Sequence, residues 1–263
     1  MRFDVNLSLV FTELPLLERP AAAKAAGFDA VELWWPFPDA EPANRELDRL
    51  ADAIRDAGVS LVGLNFDAGD MAEGDRGLLS RPAQSSRFRA NIPVAVAFAT
   101  GLGCTTLNAL YGNREPDVFP EQQDELAEEN LTLAARAADA AGATVVLEAL
   151  NAEQNPHYPI TTSNQAFTVI DRLKRPNVKF LADFYHLTMM GEDVLALIDR
   201  SAHRFGHVQI ADVPGRGQPG TGDMPYGDIL KRLADSPYDG PVGLEYKPSG
   251  PSAQSFEWIK ELA

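Results

Sequence analysis

Four side chains with oxygen donors sit at the ends of four short apolar runs. They are Glu148 in TVVLEALN, Asp183 in VKFLADFYH, Gln209 in GHVQIAD and Glu245 in PVGLEYKP. Each run reads as a separate strand. Hard divalent cations take several oxygen ligands, and a barrel of parallel strands points its strand-end side chains at one shared spot. A glutamine carbonyl suits Mg²⁺ or Mn²⁺ and is a poor ligand for Zn²⁺. Two of the four are glutamates, which can also move protons. The pattern predicts metal-assisted chemistry on a small polar substrate.

Neighbouring residues extend the candidate site. Asp183 and His186 form D-F-Y-H, a carboxylate ligand followed by an imidazole that binds a substrate oxygen. By alternation Gln209 shares a strand face with His207, and one of the two is expected to point into the barrel. Asp212, closing the same run, reads equally well as a turn former. Arg216 lies in VPGRGQPGTG, where glycines on both sides allow a tight fold that turns the guanidinium onto a carboxylate. Lys247, two residues beyond Glu245, offers a second positive group at the rim, and Asn65 at the end of SLVGLN a further substrate contact. Trp34, Phe66 and Tyr185 are candidates for an apolar wall, with core packing as the alternative for each.

Strand and helix signals alternate along the chain that must position these groups. Strands are predicted over 3–10, 30–34, 60–65, 105–110, 144–149, 178–182, 207–210 and 242–246. Several are continuously apolar, which suits parallel strands covered on both sides. Helical spacing runs over 21–26, 47–57, 122–141 and 163–173; the first three stop at Gly27, Gly58 and Gly142, and the last starts behind a TTS capping cluster. Eight strand–helix pairs predict a (β/α)₈ TIM barrel, one domain over 1–263. A doubly wound dinucleotide fold is disfavoured, because no G-x-G-x-x-G turn follows the first strand. The long segments 34–42, 67–84, 151–162 and 213–226 are expected to rim one mouth.

Composition narrows the partners. A formal net charge of −15, from 38 acidic against 23 basic residues, repels phosphodiester backbones and predicts no nucleic-acid partner. Cys104 is the one cysteine, so no intrachain disulfide or cysteine-based metal cluster can form, and its apolar setting predicts a buried, inert thiol. No run of about 18 apolar residues occurs, so no membrane span is expected. The apolar stretch in MRFDVNLSLVF is short for a signal peptide, which makes a cytoplasmic location the expectation. The apolar WWPFP segment suits a pocket wall or a homo-oligomer interface equally.

The motifs as a set resemble the hydroxypyruvate isomerase family, within the xylose isomerase-like barrels. The matching stretches are VNLSLVF, AGDMAEGDRG, EEN, LEALN, DFYHL, GHVQIAD, GRGQPGTG and YDGPVGLEYKP, which together cover almost the whole chain. The resemblance implies a divalent ion held by Glu148, Asp183, Gln209 and Glu245, with the two glutamates as the acid/base pair. It places the substrate-binding histidine and arginine on His186 and Arg216, and Arg216, joined by Lys247, is expected to clamp the substrate carboxylate. It implies isomerisation of a short hydroxy-oxo acid, hydroxypyruvate to tartronate semialdehyde; the alternatives on the same scaffold are a 2-oxo-tetronate isomerase, a ketose 3-epimerase or other sugar isomerase, an inosose-type dehydratase and a catalytically silent sugar-binding barrel. Two positions depart from the family pattern. Its third-strand histidine falls on Leu64, and its Glu-Pro-x-Asn reads Glu148-Ala149-Leu150-Asn151.

Overall fold

A computed structural model describes residues 1–262. Eight parallel strands close into a barrel in sequence order, with β8 pairing β1. β1 (Phe3–Asn6) leads to α1 (Arg19–Ala25), β2 (Ala30–Leu33) to α2 (Asn44–Ala57), and β3 (Ser60–Asn65) to α3 (Ser85–Gly101). β4 (Thr106–Asn108) leads to α4 (Pro120–Ala140), and β5 (Thr144–Glu148) to α5 (Ser163–Leu173). β6 (Val178–Asp183) is followed by two helices, α6 (Phe184–Met189) and α7 (Val194–Ser201). β7 (Phe205–Ile210), α8 (Tyr226–Ala234), β8 (Val242–Leu244) and α9 (Ile259–Leu262) complete the ring. Among the described residues no helix is long and apolar enough to cross a membrane.

The helices form where their sequences dictate. In α2, Leu50, Ala51 and Ile54 share the three- and four-residue spacing that puts them on one buried face. Gly58 then ends the helix at φ +67°, a conformation glycine adopts without a Cβ clash. In α5, Thr162 accepts from the Gln165 backbone N–H while the Gln165 side chain accepts from the Thr162 N–H, a reciprocal cap. The Ala-rich inward face of α4 lets that long helix lie close to the sheet.

Several elements differ from expectation: β4 and β8 stop short of the predicted ends at 110 and 246, leaving Glu245 just past its strand. The first strand ends at Asn6 rather than continuing to Val10, because residues 7–10 turn out of the ladder through backbone bonds onto Asn6. The helices α3, α7 and α8 have no counterpart among the predicted ones; α3 carries Pro93 in its interior, and its PVAVAFATG half is apolar on nearly every side, so no amphipathic stripe marks it. After β6 the chain makes a short helix directly at the strand end, capped by Asp183 itself.

Candidate active site

The barrel places Glu148 and Asp183 as the last residues of β5 and β6, Gln209 next to last in β7, and Glu245 one residue past β8. All four are buried, and consecutive strands carry them to the C-terminal mouth. One donor atom from each of Glu148, Asp183 and His186 lies within 4.8 Å of the other two. Burial pushes the carboxyls up: Asp183 to about 6 and Glu245 to about 7, each against the opposing pull of Arg216. Glu148 rises well above the usual carboxylate range, with the charges of Glu245 and Asp183 adding to burial.

Hydrogen bonding fixes each group. Glu148 Oε2 accepts from Asn108 Nδ2 at 2.8 Å. Asp183 Oδ1 accepts from the backbone N–H groups of Tyr185 (2.8 Å) and His186 (3.3 Å). Glu245 Oε1 accepts from Asn6 Nδ2 (2.9 Å), Trp34 Nε1 (2.8 Å) and Gln209 Nε2 (3.3 Å), while Oε2 meets Arg216 Nη2 at 2.5 Å. Asp183 Oδ2 and Gln209 Oε1 are left buried without a hydrogen-bond partner. Buried acceptors without partners are rare. Two of them among three carboxylates and an amide carbonyl make a donor set that fits a hard divalent cation.

The orientation of Gln209 has a cause that the sequence analysis did not single out. Glu32, in the middle of β2, accepts from Gln209 Nε2 (2.8 Å) and Asn6 Nδ2 (3.0 Å), and its other oxygen meets His207 Nε2 at 2.7 Å. A carboxylate only accepts, so it draws the amide nitrogen of Gln209 and leaves the carbonyl oxygen on the opposite side. Room for Glu32 comes from two glycines: a Cβ on Gly63 or Gly243 would sit 3.1 or 2.9 Å from its oxygens. Both His207 and Gln209 therefore point inward, where only one of the two was expected to. Burial alone would lower His207, but the charge and hydrogen bond of Glu32, with Asp4 and Glu245 behind it, hold it at about 9. Asp4, Glu32 and His207 form a second buried cluster deeper in the barrel. Glu32 and His207 already satisfy each other there, so that cluster needs no ion to balance them.

His186 is buried and neutral, since burial drives its imidazolium well down and the charges of Arg216 and Arg76 lower it further. The backbone N–H of Asn151 donates to His186 Nδ1 at 3.1 Å. That contact makes Nδ1 an acceptor and leaves the proton on Nε2, which faces Asp183 Oδ2 at 3.6 Å. Arg216 reaches inward from the loop between β7 and α8, with Nη2 also 3.8 Å from Asp183 Oδ2 and the guanidinium 5.3 Å from the Tyr185 ring. Its backbone takes φ +55°, unusual for a residue with a Cβ. Asp212 is the turn former that holds this loop: its carboxylate accepts from the N–H groups of Val213, Gly220, Gly222 and Met224.

The remaining candidates fall at different depths. Asn65 is buried at the end of β3, in register with Asn108. Lys247 has an exposed side chain, and its backbone N–H donates to Arg216 O at 2.8 Å. Trp34 meets Glu245 through its indole, and Tyr185 accepts from Gln154 Nε2 at 2.7 Å. Phe66 packs edge-on against Phe88 in the core, and Cys104 is buried with its thiol pushed up to about 12 by burial.

Residues 20–262 match the family model described as xylose isomerase-like TIM barrel. The chain is 60% identical to a Streptomyces coelicolor protein named "Putative hydroxypyruvate isomerase", over 98% of this chain and 95% of that one. It is 31% identical to the hydroxypyruvate isomerase of Escherichia coli, with 98% of each chain covered. The crystal structure of a Brucella melitensis protein named as an AP endonuclease of family 2 superposes with a TM-score of 0.91 at 34% identity, covering 99% of this chain and 98% of that one. The chain is an isomerase belonging to the hydroxypyruvate isomerase family of xylose isomerase-like TIM barrels.

Proposed function

We propose that the protein interconverts hydroxypyruvate and tartronate semialdehyde, with a divalent cation, Mg²⁺ or Mn²⁺, held by Glu148, Asp183, Gln209 and Glu245. The observation that carries this reading is the pair of partnerless buried acceptors, Asp183 Oδ2 and Gln209 Oε1, between two strand-end glutamates. When bound, the cation supplies Lewis-acid polarisation of the substrate's carbonyl and neighbouring hydroxyl. The names of the relatives support the substrate, a three-carbon hydroxy-oxo acid.

The chain's own groups then account for the proton traffic. One glutamate removes a proton from C3; the C–H electron pair forms the C2–C3 double bond, and the carbonyl pair moves onto the C2 oxygen. The second glutamate delivers a proton to C2, the C3 hydroxyl gives up its proton and becomes the aldehyde, and the C2 oxygen ends protonated. Two buried carboxyls lifted toward neutrality suit an acid and a base that exchange roles in the two directions. His186, with its proton on Nε2, donates to a substrate oxygen, and Arg216 holds Glu245 in place from the opposite side.

A nuclease reading, suggested by the name of the Brucella protein, has weaker support. Of the four histidines, His157 and His203 are exposed and His207 is paired with Glu32, which leaves no histidine cluster for zinc, and the net charge of −15 opposes a DNA backbone. A coupled assay with hydroxypyruvate, run metal-free and then with Mg²⁺ or Mn²⁺, tests the proposal. Metal-dependent formation of tartronate semialdehyde is expected, and Glu148→Gln should abolish it; a fully active variant sinks the mechanism. Silence with hydroxypyruvate but turnover of a four-carbon oxo acid transfers the substrate assignment, with Leu64 as the first residue to exchange.

A further inference from the structure

Arg76 lies in the loop between β3 and α3 and is half-buried. Among the described residues no carboxylate comes within 4.0 Å of its guanidinium, although the chain holds 38 acidic residues. Its sequence neighbour Asp75 turns instead to Arg81 and to the Asp70 N–H. The charge of Asp75 offsets the burial of the Arg76 cation only in part, and a structural arginine would ordinarily be paired in contact.

The residue is nevertheless held rigidly. Gly112 N–H donates to Arg76 O at 3.0 Å, and Gly77 N–H to Ala68 O at 2.9 Å. Gly77 sits at φ +104°, so close to the next loop that a Cβ would stand 2.1 Å from Leu110 O. The head is fixed as well: Nε donates to Asn155 Oδ1 (2.6 Å), and Nη1 to the carbonyls of Met71 (3.0 Å) and Asp75 (2.6 Å). Nη2, with two N–H donors, has no partner among the described residues. Asn155 in turn donates to Asn151 O (3.1 Å), and Asn151 Nδ2 contacts His186 Nδ1 (2.7 Å), so a chain of two asparagines links the guanidinium to His186. The charge of Arg76 is felt at His186, and that of Arg216 at Arg76, as expected of groups around one mouth.

Arg216 is already committed to Glu245 and Asp183, and the Lys247 side chain is exposed. We propose that Arg76 is the receptor for the substrate's carboxylate and the residue that selects hydroxy-oxo acids over neutral ketoses. The assignment rests on the isomerase reading above. An acid fills the open guanidinium edge with a charge-assisted hydrogen bond, whereas a neutral sugar leaves a partly desolvated cation unpaired.

Calorimetric titration of the metal-loaded protein with tartronate, a non-isomerising acid of matching size, tests this without relying on turnover. Arg76→Gln should weaken tartronate binding about 10- to 100-fold. Arg76→Lys should recover part of it, and its thermal melt, compared with that of the parent protein, excludes a folding defect. With hydroxypyruvate, KM should rise more than kcat falls, and the loss should exceed that for uncharged dihydroxyacetone at least tenfold. Tartronate that fails to bind the parent protein at millimolar concentration, binds Arg76→Gln equally well, or is lost in step with dihydroxyacetone overturns the assignment. Tartronate binding through Arg76 with no isomerisation of hydroxypyruvate leaves the receptor standing and removes the proposed reaction alone.

Discussion

At the residue scale, Glu32 governs the site from beneath, and Asp4 lies in the buried cluster behind it. Glu32 joins His207, Gln209 and Asn6, and through Asn6 it touches the hydrogen-bond shell of Glu245. In Glu32→Gln a side chain that both donates and accepts replaces one that only accepts. The Gln209 amide then loses its shorter carboxylate acceptor and keeps only the 3.3 Å bond to Glu245, and divalent-ion affinity should fall about 10- to 100-fold, as read by metal titration. Unchanged affinity would show that Gln209 is oriented by something else. Asp4 is fully buried with both oxygens unpartnered, and burial first, then the charge of Glu32, raises it well above 3.8. A raised acid is bound to its proton more tightly in the folded state, so folding stability falls as pH climbs past the unfolded value. Asp4→Asn keeps the shape and removes that loss. It should stabilise the protein at pH 7 by ~1–2 kcal/mol, or about 2–4 °C in Tm per kcal/mol, with the gain vanishing near pH 4. A gain that persists at pH 3.5, or a loss at pH 7, contradicts the argument.

At the element scale, the loop between β7 and α8 is a latch built around one carboxylate. Asp212 gathers four backbone N–H groups spread over Val213 to Met224, and Gly222 passes so close that a Cβ would lie 1.9 Å from Val213 O. Asp212→Ala strands those donors, which costs roughly 1–3 kcal/mol per group left without water. The loop should open, Arg216 should leave Glu245, and kcat/KM should drop by at least tenfold while limited proteolysis cuts first within this segment; a resistant loop refutes the latch. Sequence alone made the strand ends visible, since a polar residue closing an apolar run stands out in TVVLE, VKFLAD and PVGLE. It also pointed to Arg216, because glycines crowd around it. It did not reveal Glu32, a single acid inside AVEL whose partner His207 lies 175 positions away, nor Asp4 and Asn6, which alternate with apolar neighbours in FDVN. Arg76 was hidden for another reason: in GDRG it reads as one solvated charge among several, and only the loop's backbone clasp on Leu110 and Gly112 shows it to be fixed. Such roles belong to strand closure and loop docking, which local pattern does not encode.

At the scale of the whole molecule, the barrel concentrates negative charge where it cannot be hydrated. Glu148, Asp183 and Glu245 face one another with the half-buried guanidinium of Arg216 among them, inside a chain already at −15. Folding must bring these groups together from β5, β6 and the end of β8, and their mutual repulsion opposes closure of the barrel. A divalent cation that binds the closed ring and not the separated strands removes that opposition, so metal should act as a stabiliser of the entire fold. At a free concentration 100 times Kd the linkage is worth ~2.7 kcal/mol, which corresponds to a rise in Tm of about 5–10 °C for a chain of this size. Calorimetric melts in EDTA and in excess Mn²⁺ or Mg²⁺ measure it directly. Asp183→Asn should start from a higher metal-free Tm, because one repelling charge is gone, and should gain little on adding metal. A parent protein whose Tm ignores metal, or an Asp183→Asn variant that responds as fully as the parent, would place the cation outside this ring and return the four strand-end residues to ordinary packing and hydrogen bonding.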